Sequence, residues 1–426
     1  MRVPLDRSGA IEGTIRIRAV RIASRHATRP PIVGLTGGPG QAGVVFASDY
    51  DYILPTAGRD LVLFDQRGTG ASGLLRCPQL ERRVQVDVGA AAAACGRSLG
   101  PRRSFYTSAD SADDIEALRV RLGVPRIALY AVSYGTRVAL EYARRYPQHV
   151  ERMILDSAVG IDAPDPFGRE TLAAVAHVLR AACRFGCGGA QAHPVADLAR
   201  LVQRLRRSPI RTTLRHGGHR VPVTVTVDDL LGMLVSGDLA PVFLRRIPPA
   251  VRLALHGDVR ALAGLEVSPY DLEDDDPVSE FSSALYAATT CEEGPFAWDP
   301  SAAAATRLRQ ARAALAATPL RTLAPFDRAS ALDFGVLSLC AHWPARTRVP
   351  APEPPLPTTI PALVLSGDLD LRTPLQNARR LARALHGHLV VEQGVGHGVL
   401  GERHNGCASP AVAAFLAGRP LAPCRR

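Results

Sequence analysis

One serine in this chain stands where a nucleophile could act. An apolar run, Arg126–Tyr130, precedes Ser133, and a helical pattern follows it over Arg137–Arg145. A nucleophile elbow is a strand that turns tightly into a helix and so lifts a serine oxygen above the sheet. Small residues must flank the serine, because the backbone doubles back there. The usual pattern is G-x-S-x-G, and Ala131 takes the place of the first glycine. The spacing predicts Ser133 as a nucleophile, although many serines among small residues only form turns.

A nucleophilic serine needs an imidazole to take its proton and a carboxylate to orient that imidazole. Downstream, one apolar strand ends before Asp368 and Asp370, and a second ends before His397, which stands between two glycines. The order serine, acid, histidine, with each residue after a strand, is typical of α/β sheets that carry such an elbow. We predict His397 as the base and Asp370 as the acid. Asp368 is the alternative acid, but it directly follows a glycine and is better suited to shaping the turn.

A glycine-rich loop upstream could supply the oxyanion hole for this chemistry. Ile32–Leu35 reads as a strand, and the loop Thr36–Gly40 follows it with three glycines and one proline. Glycine lets the backbone approach a substrate oxygen, and proline stiffens the loop so that an amide is already directed. We predict the amides of Gly38 and Tyr134 as the two donors. The competing interpretation is a phosphate-binding loop, but the G-K-[ST] ending and the G-x-G-x-x-G spacing are missing.

These motifs together resemble a known family. The glycine–proline loop is Gly37–Gly40, the D-Q-R-G-x-G-x-S run is Asp65–Ser72 and the serine elbow is Ser133–Thr136. The acid and histidine segments are Asp370–Pro374 and Gly396–Gly398. They are similar to the proline iminopeptidase-like branch of the α/β-hydrolases, and most of all to the secreted bacterial tripeptidyl aminopeptidases. The D-Q-R-G run is specific to that branch, whereas an elbow alone is not. Two positions depart from the pattern: Ala131, and Thr36, where many relatives carry a histidine.

The resemblance implies an α/β-hydrolase fold, with a doubly wound, mostly parallel sheet and an inserted, mainly helical lid domain. Strands and helices alternate up to about residue 160, so residues 1–160 are predicted as the first part of the core. Residues 161–345 are rich in alanine, leucine and arginine and are predicted as the lid, which would exclude water and select substrates. Residues 346–426 are predicted as the second part of the core, with a C-terminal TAP-like segment. We interpret Arg67, in the D-Q-R-G run, as a brace for the loop beside the site.

The same resemblance implies a serine peptidase that removes short peptides or single residues from free N-termini without a cofactor. Such an enzyme must bind the substrate ammonium group, and a desolvated carboxylate is the natural partner. Relatives carry an acidic residue two positions after a cysteine, which selects Glu293 after Cys291, with Glu292 as the alternative. A carboxylesterase with the same triad and a non-catalytic binding protein on this scaffold stay open, because one fold carries many functions.

Composition argues against other classes of partner. The net charge is +11, but the 51 basic residues are all arginine, are spread along the chain, and are joined by only 5% aromatic residues. Nucleic-acid binding needs a focused basic face, so no nucleic-acid partner is predicted. The histidines and cysteines show no metal-ligand spacing, which predicts no metal. No apolar run approaches the roughly 18 residues that a membrane span needs, so membrane insertion is not expected.

The eight cysteines are an even number, although many pairings are possible in principle. Resemblance and proximity favour the pairs Cys77–Cys95, Cys183–Cys187, Cys291–Cys340 and Cys407–Cys424. The alternative is a set of free buried thiols in a cytosolic enzyme. Disulfides persist in oxidising compartments, so we expect a secreted or cell-envelope protein. The first residues lack an apolar signal-peptide segment, which we interpret as a leader that was removed or missed by the choice of start site.

Overall fold

The fold is organised around one large sheet. The computed structural model describes residues 1–81, 87–161, 165–187, 193–216, 218–267, 277–348, 353–402 and 406–423. Strands in these residues are β1 (Arg2–Pro4), β2 (Thr14–Arg16), β3 (Ala19–Ile22), β4 (Ile32–Leu35), β5 (Leu61–Phe64), β6 (Ile127–Val132), β7 (Val150–Asp156), β8 (Ile210–His216), β9 (His219–Val225), β10 (Ala362–Gly367) and β11 (His388–Glu392).

Seven strands of the described part form this sheet, in the order β11-β10-β7-β6-β4-β5-β3. Neighbouring strands are parallel except β3, which pairs antiparallel with β5. β4, β5 and β10 are buried along their whole length, as expected for parallel strands that are covered on both faces. The doubly wound, mostly parallel α/β-hydrolase sheet predicted from the sequence is confirmed. β6 lies between β4 and β7, so the residue that follows β6 lies near the middle of the sheet edge.

Helices flank the sheet and fill the segment between β7 and β10. They are α1 (Ala47–Ile53), α2 (Val88–Leu99), α3 (Ser108–Leu122), α4 (Tyr134–Arg145), α5 (Arg169–Arg184), α6 (Pro194–Arg207), α7 (Val227–Ser236), α8 (Pro241–Leu244), α9 (Ile247–Leu255), α10 (Arg260–Glu266), α11 (Ser283–Glu293), α12 (Ala304–Ala316), α13 (Leu320–Leu323), α14 (Arg328–Phe334), α15 (Leu337–Cys340), α16 (Leu375–Ala384) and α17 (Ala408–Leu416).

Alternate residues of each central strand enter two different cores, because successive side chains point to opposite faces of a sheet. In β4, Ile32 packs in the core that contains Tyr50 of α1 and Phe415 of α17. The next residue, Val33, packs in the larger core, which contains Val138 of α4. Both faces of the sheet are therefore closed, and its strand ends are the places left for chemistry.

The segment between β7 and β10 carries α5–α15. α7 begins with a capping box, in which Thr226 and Asp229 exchange side-chain hydrogen bonds with each other's backbone amides. The segment also contains the antiparallel hairpin β8–β9, with Ile210 opposite Val225, which the mainly helical pattern did not predict. β8 contains one isoleucine and two threonines, and β9 contains three valines and one threonine. Such β-branched residues favour a pleated surface.

Disulfides connect three of the four predicted cysteine pairs. The structure confirms Cys77–Cys95, Cys183–Cys187 and Cys291–Cys340. Cys407 is also disulfide-bonded, but its predicted partner, Cys424, lies outside the described residues. Among the helices of the described ranges, none combines the length and the apolar character needed to cross a bilayer.

Candidate active site

Ser133 lies in a sharp turn between β6 and α4. Its backbone has φ 55° and ψ −127°, a positive φ that residues other than glycine adopt at a cost. The Ser133 amide donates to the carbonyl of Asp156 at 3.0 Å, which ties the turn to the end of β7. Gly135 is required at the next position but one, because a β-carbon there would lie 2.6 Å from the carbonyl oxygen of Leu35. Ala131 is fully buried in β6, so the turn forms with alanine in place of the first elbow glycine.

An acid–base pair lies after the two neighbouring strands β10 and β11. His397 Nδ1 is 3.0 Å from Asp370 Oδ2 and 3.2 Å from Asp370 Oδ1. The Thr373 hydroxyl donates to Asp370 Oδ2 at 2.7 Å, and the Thr373 amide donates to Oδ1 at 2.8 Å. The carboxylate is therefore held on both oxygens while it faces the imidazole. The structure brings together the two residues that the sequence pattern proposed as base and acid.

The two groups shift each other's pKa. Burial lowers the pKa of His397, but the adjacent Asp370 carboxylate outweighs it, and the pKa of His397 lies above its ordinary value. Burial acts to raise the pKa of Asp370, but the charge and hydrogen bond of His397 outweigh it, and the pKa of Asp370 lies below its ordinary value. The pair therefore favours the ionised carboxylate beside an imidazole that readily takes a second proton.

Asp368, the alternative acid, faces away from His397. Its Oδ1 accepts a hydrogen bond from the Gly394 amide at 2.6 Å, and its Oδ2 accepts one from Arg184 Nη2 at 2.6 Å. These contacts join the ends of β10 and β11 to α5. Asp368 therefore shapes the turn, as its position after Gly367 suggested, and of the two aspartates it is Asp370 that contacts the imidazole.

The glycine-rich loop after β4 contacts the serine elbow. A β-carbon on Gly37 would lie 3.0 Å from Ser133 Cβ and 3.4 Å from Ser133 Oγ, so the loop passes directly over the candidate nucleophile. Gln41 folds back to fix the loop, because its Oε1 accepts from the Gly37 amide at 3.1 Å and its carbonyl accepts from the Thr36 hydroxyl at 2.9 Å. In the loops that the structure describes, the amides of Gly38 and Tyr134 are bonded to no other described residue. Both predicted oxyanion donors are thus free to bind a ligand oxygen.

Ser133 Oγ and the His397 ring are not hydrogen-bonded to each other, although both residues belong to the described part of the chain. The His397 loop is nevertheless tied to the elbow through β7. The Gly398 amide donates to Ser157 Oγ at 2.8 Å, and Ser157 directly follows Asp156, whose carbonyl holds the Ser133 amide. Hydrogen bonds between nucleophile and base are often long in free enzymes and tighten when substrate binds.

Comparisons with known proteins agree with this geometry. Two family models match the chain: one described as alpha/beta hydrolase fold, over residues 30–185, and one described as TAP-like protein, over residues 327–420. The tripeptidyl aminopeptidase of Streptomyces lividans is 24% identical over 456 aligned positions, which cover 97% of this chain and 80% of that protein. The chain has the α/β-hydrolase fold, and the proteins to which it is similar include a peptidase.

Other relatives of this α/β-hydrolase are similarly distant. The serine protease Hip1 of Mycobacterium tuberculosis is 25% identical over 91% of this chain and 78% of that protein. A proline iminopeptidase of Arabidopsis thaliana is 32% identical over 125 residues, which are 29% of this chain and 26% of that protein. The first relative and Hip1 align across the segment between the two matched models, so the likeness extends beyond the site motifs.

Asp156, at the end of β7, is a site residue of this α/β-hydrolase that no motif indicated. It is fully buried. Its carboxylate accepts the amides of Val399 and Leu400 at 2.8 and 3.0 Å and the Tyr130 hydroxyl at 3.1 Å. These bonds fix the chain just after His397 against the centre of the sheet. The only sequence signal was an aspartate that ends an apolar strand.

We expect Asp156→Ala to lower the free energy of unfolding by about 3 kcal/mol, because two buried amides and one hydroxyl lose their acceptor. Chemical denaturation monitored by circular dichroism measures the change. Asp51, which is exposed on α1, supplies the control Asp51→Ala, for which we expect a change within about 0.5 kcal/mol. A loss below about 1 kcal/mol for Asp156→Ala would contradict this role.

Asp238 is a second site residue that the sequence did not indicate. It lies between α7 and α8 and is fully buried. One ligand atom each of Asp238, Asp370 and His397 lie within 4.8 Å of one another, a metal-type cluster that was not expected from the spacing. Two amides and the Arg372 guanidinium already bind the Asp238 carboxylate. We therefore interpret the cluster as a hydrogen-bonded network.

Arg67 is a structural brace, as the sequence suggested. It is fully buried, and its guanidinium donates to both oxygens of Asp114 at 2.7 Å. It also donates to the carbonyls of Phe105 and Leu5 at 2.7 and 3.1 Å. A single arginine thereby joins the loop after β5 to α3 and to the N-terminal segment.

The two candidate ammonium ligands have different surroundings. Glu292 is buried with both oxygens occupied, by Trp343 Nε1 at 2.9 Å and by the Ser104 hydroxyl at 3.0 Å, and it pairs with Arg103. Its contacts are those of a structural residue, so we do not retain Glu292 as a substrate ligand. The Glu293 carboxylate binds the amide and the hydroxyl of Ser108 and keeps 17% of its side chain exposed.

Proposed function

We propose that this chain is a serine peptidase that removes short peptides or single residues from free N-termini, with Ser133, His397 and Asp370 as its triad. The observation that carries the proposal is the 3.0 Å contact between His397 and Asp370. These residues follow β11 and β10, which belong to the same sheet as β6, the strand that leads into Ser133. Relatives named tripeptidyl aminopeptidase, serine protease and proline iminopeptidase support a peptide substrate.

Acylation begins when Ser133 Oγ attacks the scissile carbonyl carbon. His397 accepts the hydroxyl proton, and the Asp370 carboxylate stabilises the imidazolium that forms. The amides of Gly38 and Tyr134 donate to the developing oxyanion, a contribution worth a few kcal/mol of barrier lowering. His397 then gives its proton to the leaving amine, and the C–N bond breaks to leave an acyl-enzyme.

Deacylation repeats the same steps with water. His397 takes a proton from a water molecule, whose oxygen attacks the acyl carbon, and the resulting oxyanion is held by the same two amides. Collapse of this intermediate returns the proton to Ser133 Oγ and releases the carboxylic acid. The positive φ of Ser133 directs its oxygen toward the substrate during acylation and leaves the acyl group accessible to water during deacylation.

Glu293 is the proposed ligand for the substrate ammonium group. Its carboxylate is hydrogen-bonded to Ser108, whose hydroxyl is 3.0 Å from the hydroxyl of Tyr134. Because Tyr134 directly follows the nucleophile, a few extended residues at about 3.5 Å each span from Ser133 to Glu293. Burial raises the pKa of Glu293, against the opposing effect of the Arg137 guanidinium. A substrate ammonium would favour the ionised form of Glu293 and bind the lone pairs that Ser108 leaves free.

The segment 161–345 is proposed as a lid over this site, between core segments 1–160 and 346–426. Its residues contact the oxyanion loop directly: the Ser282 amide donates to the Gly40 carbonyl at 2.9 Å, and the Ala42 amide donates to the Glu280 carbonyl at 2.7 Å. Asp238 and Glu293 belong to the same segment. A lid that touches both the oxyanion loop and the acid–base pair would select substrates by their shape.

An oxidising location is proposed from the disulfides. Three disulfides within the described ranges connect positions that the sequence pattern paired, and such bonds persist in secreted and cell-envelope proteins. We therefore propose that the enzyme acts outside the cytoplasm on peptides, with neither nucleic acid nor a membrane span involved.

A panel of substrates tests the proposal. It compares mono-, di- and tripeptidyl chromogenic amides with free N-termini, their N-acetylated counterparts and a short-chain nitrophenyl ester. Cleavage of the free amides, with loss of cleavage on acetylation, is the expected result. Ester turnover without amide cleavage would instead identify a carboxylesterase that uses the same triad.

We expect Glu293→Gln to raise KM for free-N-terminal peptides about ten- to a hundredfold, because a charge-assisted hydrogen bond to the ammonium group is lost. Glutamine keeps the size of the side chain and an acceptor for the Ser108 amide. Turnover of the nitrophenyl ester, which carries no ammonium group, should stay near that of the unmodified enzyme. Steady-state kinetics on both substrates measure the difference.

Glu292→Gln is the matched control, because it makes the same chemical change one residue away. It should lower thermal stability through its lost pairing with Arg103 while leaving KM for peptides unchanged. An equal loss on peptide and ester in Glu293→Gln would reject Glu293 as the ammonium ligand.

A further inference from the structure

Asp238 connects the inserted segment to the loop that carries the catalytic acid. Its Oδ2 accepts the amides of Leu371 and Arg372 at 3.0 and 2.9 Å, and its Oδ1 accepts Arg372 Nε at 3.0 Å. Leu371 directly follows Asp370. A carboxylate from the chain between α7 and α8 therefore caps the turn that holds the acid partner of His397.

The backbone of the same residue holds the base. The His397 amide donates to the Asp238 carbonyl at 2.9 Å. The approach is so close that a β-carbon on Gly396 would lie 1.7 Å from that carbonyl oxygen. Glycine before His397 is thus required by this contact, because any side chain there would displace the Asp238 segment.

We propose that Asp238 is a positioning residue for the acid–base pair, in that it fixes the Asp370 turn and the His397 backbone and places a negative charge beside the imidazolium. This inference rests on the proposed function, since it assigns a role within the proposed triad. It also assigns a catalytic purpose to the inserted segment beyond covering the site.

The charges around Asp238 define its effect on His397. The groups that face it are the Arg372 guanidinium, the Asp370 carboxylate and the His397 ring. Burial raises the pKa of Asp238 to about 6, with Arg372 acting to lower it and Asp370 to raise it. At neutral pH the carboxylate is therefore largely ionised, and it adds to the charge of Asp370 in raising the pKa of His397. Protonation of Asp238 below about pH 6 removes that support.

The test compares Asp238→Asn with Asp368→Asn. Asp368 is a matched control, because it is a buried carboxylate at the same sheet edge, bound by one amide and one arginine, that faces away from His397. Rates of hydrolysis of a nitrophenyl ester are measured from pH 5 to 9. Each rate is divided by the concentration of active sites, which is determined by titration with a fluorophosphonate. The pKa of the His397 ring is measured separately by NMR on protein with ¹³C-labelled histidine, assigned with His397→Gln.

We expect Asp238→Asn to lower kcat per active site about tenfold and to lower the pKa of His397, because a nearby negative charge is lost. The acidic limb of the pH profile, where kcat/KM falls because the ring becomes protonated, should move to lower pH by the same amount. In Asp368→Asn the limb and the ring pKa should stay in place. A second variant, Asp238→Ser, also removes the charge but places a smaller side chain in the buried site, and it should move the limb in the same direction as Asp238→Asn.

An Asp238→Asn enzyme with unchanged kcat per active site and an unchanged ring pKa, differing only in thermal stability, would overturn the proposal. If that variant fails to fold, an acidic limb that stays in place in Asp238→Ser would overturn it equally. The NMR titration does not depend on turnover. An unmodified protein that hydrolysed neither esters nor peptides would therefore reject the proposed function, while the titration still decided the role of Asp238.

Discussion

Ser133→Ala is expected to lower kcat/KM by about 10⁴-fold or more on both ester and peptide substrates. The variant cannot form the acyl-enzyme, so only the oxyanion donors and substrate binding remain to favour hydrolysis by water. Alanine retains the β-carbon that contacts Gly37 and the steric demands of the positive φ. The loss should therefore be chemical, with the elbow preserved.

Initial rates at saturating and low substrate concentration measure this loss, and labelling by a fluorophosphonate should disappear with it. Circular dichroism and the thermal midpoint should match those of the unmodified enzyme. Retention of more than about one per cent of the activity would reject Ser133 as the nucleophile, because triad members act as a unit.

Asp370→Asn should lower kcat by about 10⁴-fold, because an amide can stabilise the wrong imidazole tautomer and cannot stabilise the imidazolium. The pH profile should change as well. The ring must be neutral to accept the serine proton, so kcat/KM falls as the pH drops through the pKa of His397. Burial lowers that pKa, but Asp370 raises it above its ordinary value. Without the Asp370 charge the pKa falls, and the acidic limb moves to lower pH.

The profile is measured on an ester between pH 5 and 9 for Asp370→Asn and for Asp368→Asn. The second variant should keep most of its kcat, since Asp368 binds Gly394 and Arg184 and has no contact with the ring. If Asp368→Asn lost the greater share of activity, the acid would have to be reassigned to Asp368.

The nucleophile elbow was predictable from sequence because it is a local structure. The apolar run, the small residues beside Ser133 and the helical period that follows lie within a single stretch of the chain. The same holds for the end of each strand before Asp370 and His397. Three cysteine pairs were also predicted correctly, with help from the family resemblance.

The helical interpretation of the inserted segment was incomplete. It included the helices α5–α15 but not the hairpin β8–β9, whose pairing runs from Ile210 opposite Val225 to His216 opposite His219. The alternation of apolar and polar residues in these two short, arginine-containing strands is a weak signal, and long alanine-rich helices surround the hairpin in the sequence. The pairing of β8 with β9 supplies backbone hydrogen bonds that the residue pattern of either strand alone does not specify.

The choice between neighbouring acids depended on distant residues. Asp368 and Asp370 occupy one turn, but Asp368 is bound by the Gly394 amide and by Arg184 of α5, whereas Asp370 contacts the histidine. Glu292 and Glu293 lie side by side at the end of α11, and Trp343 and Ser108 give them different surroundings. Adjacent side chains with the same chemistry look alike in sequence, because their difference lies in what packs against them.

The α/β class, the sharp turn at Ser133, the order of the candidate triad residues and the position of the glycine-rich loop were all predicted from sequence, since each depends on backbone preferences and spacing within a short stretch. Only the tertiary structure reveals that Asp156 holds the loop after His397 and that Asp238 holds the turn after Asp370. Their hydrogen bonds to Val399 and Leu371 join residues 243 and 133 positions apart. Such contacts arise from the packing of the insertion and the sheet around a buried carboxylate, for which no local periodicity exists.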